Sequence, residues 1–94
     1  MKKSPKLDRH VDKDVVLCRT TNHMASRRTT RLLLEDSIPF TANWKRVPFF
    51  KREEYGGASE VCIITINRNL YCKARRSISN LGTRDRDNIL LNVI

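Results

Sequence analysis

Three cysteines and two histidines hold the widest chemical repertoire in this chain of 94 residues. Cys18, His23, Cys62 and Cys72, with His10 as a further candidate, are each able to ligate zinc as a thiolate or a neutral imidazole. Adjacent strands could bring Cys18 and Cys62 together, with Cys72 one helix turn away. The spacing, however, contains no C-x-x-C knuckle to orient two ligands at once. Buried cysteines usually behave as small hydrophobes. Structural thiols and no cofactor are therefore the leading expectation, with zinc as the alternative. An odd number of cysteines at no framework spacing also points to a reducing compartment.

Catalytic chemistry has less to stand on. His10 and His23 are accompanied by no nucleophile elbow, no phosphate-binding glycine loop and no metal-hydrolysis motif. Glu53 and Glu54 are adjacent and point apart in an extended segment. They read as solvated partners of Lys51 and Arg52 rather than as an acid and base pair. A non-enzymatic protein with no catalytic residues is the expectation.

The strongest signal is cationic and aromatic. The net charge is +9, and residues 1–52 hold 13 Lys and Arg against five acids. Such an excess favours polyanions and speeds encounter with acidic surfaces. The stretch WKRVPFFKREEYGG sets Phe49 and Phe50 among Lys45, Arg46, Lys51 and Arg52, with Tyr55 just beyond. Aromatic residues beside arginines are what protein interfaces use as anchors, and the same mixture stacks on unpaired bases. Arg27, Arg28 and Arg31 form one basic cluster and Arg75 and Arg76 a second. Two helices on one sheet face would join them into a phosphate or acidic-protein site, the competing reading being a solvated face with Arg31 paired to Glu35.

Positioning these residues requires a folded frame. Hydrophobic residues make up 39% and charged residues 31% of the chain, the balance of an ordinary globular protein. No apolar run reaches membrane-span length, and the opening MKKSPKLDRHVDKD has positive charge without the apolar core of a signal peptide, so a cytoplasmic location and no membrane partner are expected. Residues 1–12 read as a flexible basic arm and residues 13–94 as one domain. VVLCR, apolar on successive positions, predicts a strand buried on both faces. A helix follows, capped by Thr21 or Asn22, with Ala25, Thr29, Leu32 and Leu33 inward, and it must stop by about Ser37 because of Pro39.

Phe40, Ala42 and Trp44 alternate with polar residues, the pattern of a strand with one buried face, which assigns Trp44 to the core. Phe49 and Phe50 then fall in a long hairpin connection. If that segment is extended they cannot both point inward, unless the loop folds back over the sheet and covers both rings. EVCIITIN predicts a second central strand. NLYCKARRSISNLG predicts a second helix capped by Asn69, with Leu70, Ala74, Ile78 and Leu81 inward and Gly82 ending it in a left-handed cap. TRDRDN reads as a polar linker, and ILLNVI as a last strand, with a short helix as the alternative.

The order strand, helix, strand, strand, helix, strand is that of the ferredoxin-like α+β fold, a four-stranded antiparallel sheet with both helices on one face. Its first and third strands are central, as VVLC and VCIITI require. The RNA-recognition modules that share this topology stack bases on aromatics of the central strands. Glu60 to Asn67 offers Val61, Ile63 and Thr65 on one face and Cys62, Ile64 and Ile66 on the other, so that platform is missing.

LLLEDSIPF, a leucine pair followed by a small residue, Ile, Pro and an extended aromatic, resembles the end of the first helix in the small bacterial PII-like signal-transducing proteins. The similarity runs from Val15 to Leu81 and includes the helix after IITINRN, with Ala74 inward, although Ser37 stands where that family usually has glycine. The resemblance implies a regulatory, non-catalytic protein and supplies no binding residues.

Two functional expectations follow. The first is a small basic binding protein acting on a nucleic acid or nucleoprotein machine, for instance an anti-CRISPR-like inhibitor of a host nuclease. The second is a PII-like regulator responding to a small ligand or metal, dimeric through a sheet edge. Monomer and homodimer both remain open.

Overall fold

A computed structural model describes residues 14–92. The arm expected over residues 1–12, with His10, lies outside the described residues, as do the last two positions of the chain. The elements are β1 (Asp14–Thr20), α1 (His23–Glu35), β2 (Phe40–Arg46), a 3-10 segment (Phe49–Tyr55), β3 (Glu60–Asn67), a second 3-10 turn (Arg68–Leu70), α2 (Tyr71–Ile78), α3 (Thr83–Arg86) and β4 (Ile89–Leu91). The strands form one antiparallel sheet in the order β2-β3-β1-β4. β1 and β3 are therefore central, and the fold is ferredoxin-like α+β.

Ala25 and Leu33 of α1 and Ala74 and Ile78 of α2 share one core with Cys62, Ile64 and Ile66 of β3. Both helices thus cover the same sheet face. On the opposite face Ile63 and Thr65 are only half-buried, so the central strands are not buried equally on both sides. In β1 the successive apolar residues have another cause. The register with β3 shifts between Val16 and Cys18, a β-bulge that turns both Leu17 and Cys18 into the core. Asn92 clasps that bulge, donating its backbone N–H to the Leu17 carbonyl at 2.9 Å and its side-chain amide to the Val16 carbonyl at 2.9 Å. Tyr71 donates its hydroxyl to the Asn92 carbonyl, tying α2 to the same corner.

The side chain of Asn22 caps α1 by accepting the Ala25 N–H at 2.8 Å. At the other end Ser37 adopts φ 58°, and the Ile38 N–H reaches back to the Leu33 carbonyl at 2.8 Å. This is a Schellman closure with serine in the left-handed position that glycine fits best. The left-handed end expected at Gly82 does not form: Gly82 has φ −65° and precedes α3. Asn69 is not the cap of the second helical stretch either, because the Asn67 side chain accepts the Asn69 N–H at 2.8 Å and opens the 3-10 turn before α2. TRDRDN is no plain linker, since its Thr83–Arg86 portion winds into α3 and buries Asp85.

β2 follows the expected alternation but not the expected burial. It is an edge strand, and only Phe40 among its residues is even partly buried. Trp44 remains 37% exposed. The alternation places it on the helix-bearing face, yet no helix crosses the outer strand far enough to bury it.

Candidate binding surface

The 3-10 segment determines where the two phenylalanines go. Pro48 precedes it in an extended conformation, and the Lys51 N–H donates to the Pro48 carbonyl at 2.8 Å. The Gly57 N–H returns to the Arg52 carbonyl at 2.7 Å, with Gly56 at φ 64° and Gly57 at φ 86°. Both angles lie in the left-handed region that glycine adopts without a side-chain clash. The connection is thus a wound turn rather than an extended hairpin arm. A short helix whose two leading residues face solvent exposes both rings together. Phe49 is 83% exposed and Phe50 79%.

Arg52 belongs to the support of this turn. It donates from Nε to the Val47 carbonyl at 3.3 Å, and its guanidinium carbon lies 5.8 Å from the centre of the Phe49 ring. Val47 and Val61 beneath it are buried. Tyr55 is half-buried and lines a shallow recess with Arg19 and Leu90, which brings the end of the turn against the open sheet face. Lys51 is exposed beside the rings, as are Lys45 and Arg46 at the end of β2. Phe49, Phe50, Arg52, Glu53, Gly56 and Gly57 border a broad, open concavity of about 600 Å³.

The helical arginines separate into different roles. Arg28 pairs with Asp85, Nη1 lying 2.9 Å and 3.1 Å from the two carboxylate oxygens. The carboxylate side chain is 10% exposed and the arginine side chain 51%, so this pair fastens α3 to α1. The Arg31–Glu35 pair of the competing reading is not formed. Arg27 and Arg31 are exposed and continue, at i+4 and i+8, the stripe that starts at His23. His23 stacks on Trp44, with ring centres 4.2 Å apart and planes 19° off parallel.

The exposed cationic and aromatic residues thus fall into two groups: Arg27, Arg31 and the stacked His23 and Trp44 on the helix-bearing side, and the Phe49–Phe50 turn with Lys51, whose end at Tyr55 lies against the open sheet face. Arg75 and Arg76 stay exposed on α2. Arg75 lies over the Tyr71 ring at 5.7 Å and borders a cleft of about 430 Å³ with Arg86, Ile89 and Leu91. It faces β4 from the helix-bearing side of the sheet.

The sequence pattern assigns Trp44 to the core and offers His23 only as a candidate metal ligand. Their stacking at the surface was detectable only from the topology, which places the second strand at the sheet edge and the start of the first helix next to it.

Among the described residues no group of three or more His, Cys, Asp and Glu side chains is placed to hold a metal. Cys18 and Cys62 are buried on the helix-bearing face, Cys72 is exposed on α2, and His23 is committed to Trp44. Burial, reinforced by the neighbouring Cys62, pushes the Cys18 thiol up to about 12. It therefore stays protonated at neutral pH and is a poor ligand and nucleophile. The Ser26 hydroxyl donates to the Cys62 sulfur at 3.3 Å, an ordinary interior contact. Among the described residues no helix is long and apolar enough to cross a membrane.

No family model matches the chain, and neither the curated proteins nor the solved structures searched contain a match to it.

Proposed function

We propose that this chain is a non-enzymatic binding protein that occupies the surface of a nucleic acid or nucleoprotein machine through its aromatic turn. The observation that carries the reading is the joint exposure of Phe49 and Phe50 on a turn held by backbone hydrogen bonds. Leaving two phenylalanines in water forgoes about 1.5–3 kcal/mol of burial for each. A monomer gains nothing from fixing them there, whereas a partner gains preorganised anchors that need little ordering on association.

The surroundings favour a polyanionic target. Lys45, Arg46 and Lys51 flank the rings, and Arg27 and Arg31 extend the positive surface along α1. Cations of this kind neutralise phosphates while aromatic faces stack on bases that are not paired. Trp44 and His23 form a second exposed aromatic pair, on the helix-bearing side. Blocking a host nuclease, as a small inhibitor carried by a mobile element does, is one use such a surface serves.

Fluorescence anisotropy against labelled single-stranded DNA, duplex DNA and RNA at two salt concentrations tests the reading. It expects binding that persists at physiological salt and favours single strands. Binding to all three that vanishes together as salt rises would reduce the charge to non-specific steering and defeat a direct nucleic-acid target.

A further inference from the structure

The outer edge of β2 is an uninterrupted strand edge of seven residues, against three in β4 at the other side of the sheet. A single hydrogen bond establishes which of its backbone groups are already used. Arg46 opposes Glu60 in the β2–β3 register, so Val47 opposes Ser59, and the Val47 N–H donates to the Ser59 carbonyl at 2.8 Å. Directly opposed residues that bond to each other recur at every second position of an antiparallel ladder. Lys45, Asn43 and Thr41 therefore also turn their N–H and C=O groups towards β3. Phe40, Ala42, Trp44 and Arg46 aim theirs outward. No proline or bulge interrupts the strand, and an edge of this length and regularity is a template for another strand.

We infer that a second copy of this chain pairs here, β2 against β2 antiparallel, with the two-fold axis at Asn43. Backbone parity restricts the register, because only outward-facing residues can bond across the junction. Centring on Asn43 sets Phe40 opposite Arg46 of the second copy, Ala42 opposite its Trp44, Thr41 opposite its Lys45, and Asn43 opposite itself. The whole strand is used, with roughly eight ladder hydrogen bonds. Moving the axis to Ala42 or Trp44 shortens the ladder.

The side chains agree with the same register. No two like charges face each other, Arg46 meets an aromatic ring, and the small Ala42 stands across from the indole. Each match occurs twice by symmetry, as an isologous interface demands. An unrelated extended peptide would satisfy the backbone but has no reason to satisfy these pairs. The two aromatic turns then lie beyond opposite ends of the joined strands, so the dimer presents Phe49 and Phe50 twice while Trp44 and Arg46 are taken into the junction.

The test begins with sedimentation equilibrium of the full chain, where twice the 11.0 kDa protomer mass is expected. Ala42→Pro removes an outward N–H and no bond to β3, a change an edge strand tolerates. It should weaken the dimer about 30-fold, through two lost bonds, with the melting curve retained. In a Cys72→Ser background, Asn43→Cys should cross-link to itself on mild oxidation. Non-hydrogen-bonded partners stand about 4.5 Å apart at Cα, within disulfide reach. Thr41→Cys should not cross-link. A protomer mass at every concentration up to the solubility limit would overturn the proposal, including in favour of a peptide partner for this edge. So would a dimer that survives Ala42→Pro and fails to cross-link at Asn43→Cys.

Discussion

Arg28→Ala separates the arginine that holds the fold from those available to a partner. The substitution leaves Asp85, whose side chain is 10% exposed, without the guanidinium that approaches both its oxygens at 2.9 Å and 3.1 Å. Charge-assisted hydrogen bonds contribute about 1.5–3 kcal/mol, and a buried ion left unpaired costs about 3–5 kcal/mol. Arg28 is itself 51% exposed, so solvent screens part of the interaction and water reaches the carboxylate once the arginine is gone. A loss of about 2 kcal/mol results, which for a domain of this size lowers the melting temperature by about 8–16 °C.

Arg27→Ala and Arg31→Ala remove exposed side chains without an ion-pair partner among the described residues, and each should change stability by less than about 0.5 kcal/mol. Thermal melts followed by circular dichroism compare the three variants directly. Replacing both members, as Arg28→Met with Asp85→Leu, should recover most of the loss, since it removes the stranded charge. An Arg28→Ala protein as stable as the parent would refute the reasoning and return Arg28 to the set of free surface cations.

Other outcomes follow from the same structure. Thr29 is fully buried and its hydroxyl is the one buried side-chain polar atom without a hydrogen-bond partner among the described residues. Thr29→Val should therefore stabilise the fold by about 1 kcal/mol in urea titration, whereas Thr29→Ser should not. Cys18, raised from 9.0 to about 12, is protonated in the folded state while the unfolded thiol ionises near 9. Its contribution is complete below pH 9 and is lost as pH rises towards 12, at about 1.4 kcal/mol per unit. Between pH 8 and pH 10, one unit above the unfolded value, urea titration should show the parent losing about 1.4 kcal/mol more than Cys18→Ala, and equal losses would show that the thiol is not the cause. Arg27→Glu with Arg31→Glu should weaken polyanion binding more at low salt than at high salt in the anisotropy assay.

The strand order, the central pair and the inward stripes of both helices were legible because period-two and period-3.6 patterns report which residues share a face. The limits of β3 at Glu60 and Asn67 were readable for the same reason. Those patterns do not report how far a neighbouring layer extends. Trp44 has the correct parity and still stands outside the core, because β2 lies at the sheet edge, where His23 of α1 stacks on the indole without burying it. Leu17 and Cys18 look like two-faced burial and are instead a bulge. Asp85 looked like linker charge because its partner, Arg28, is 57 residues away. Phe49 and Phe50 were readable as an anomaly of composition, whereas their joint exposure depended on a 3-10 turn closed by Gly56 and Gly57.

The most direct test of the account is a paired measurement on Phe49→Ala with Phe50→Ala: the melting temperature and the affinity for labelled single-stranded nucleic acid at physiological salt. Rings that are 83% and 79% exposed contribute little to the fold, so the melting temperature should move by less than about 4 °C. As anchors they should carry at least a tenfold share of affinity, about 1.4 kcal/mol. Unchanged affinity, or a melting temperature lowered by more than about 8 °C, would contradict the claim that this turn is built for a partner rather than for the fold.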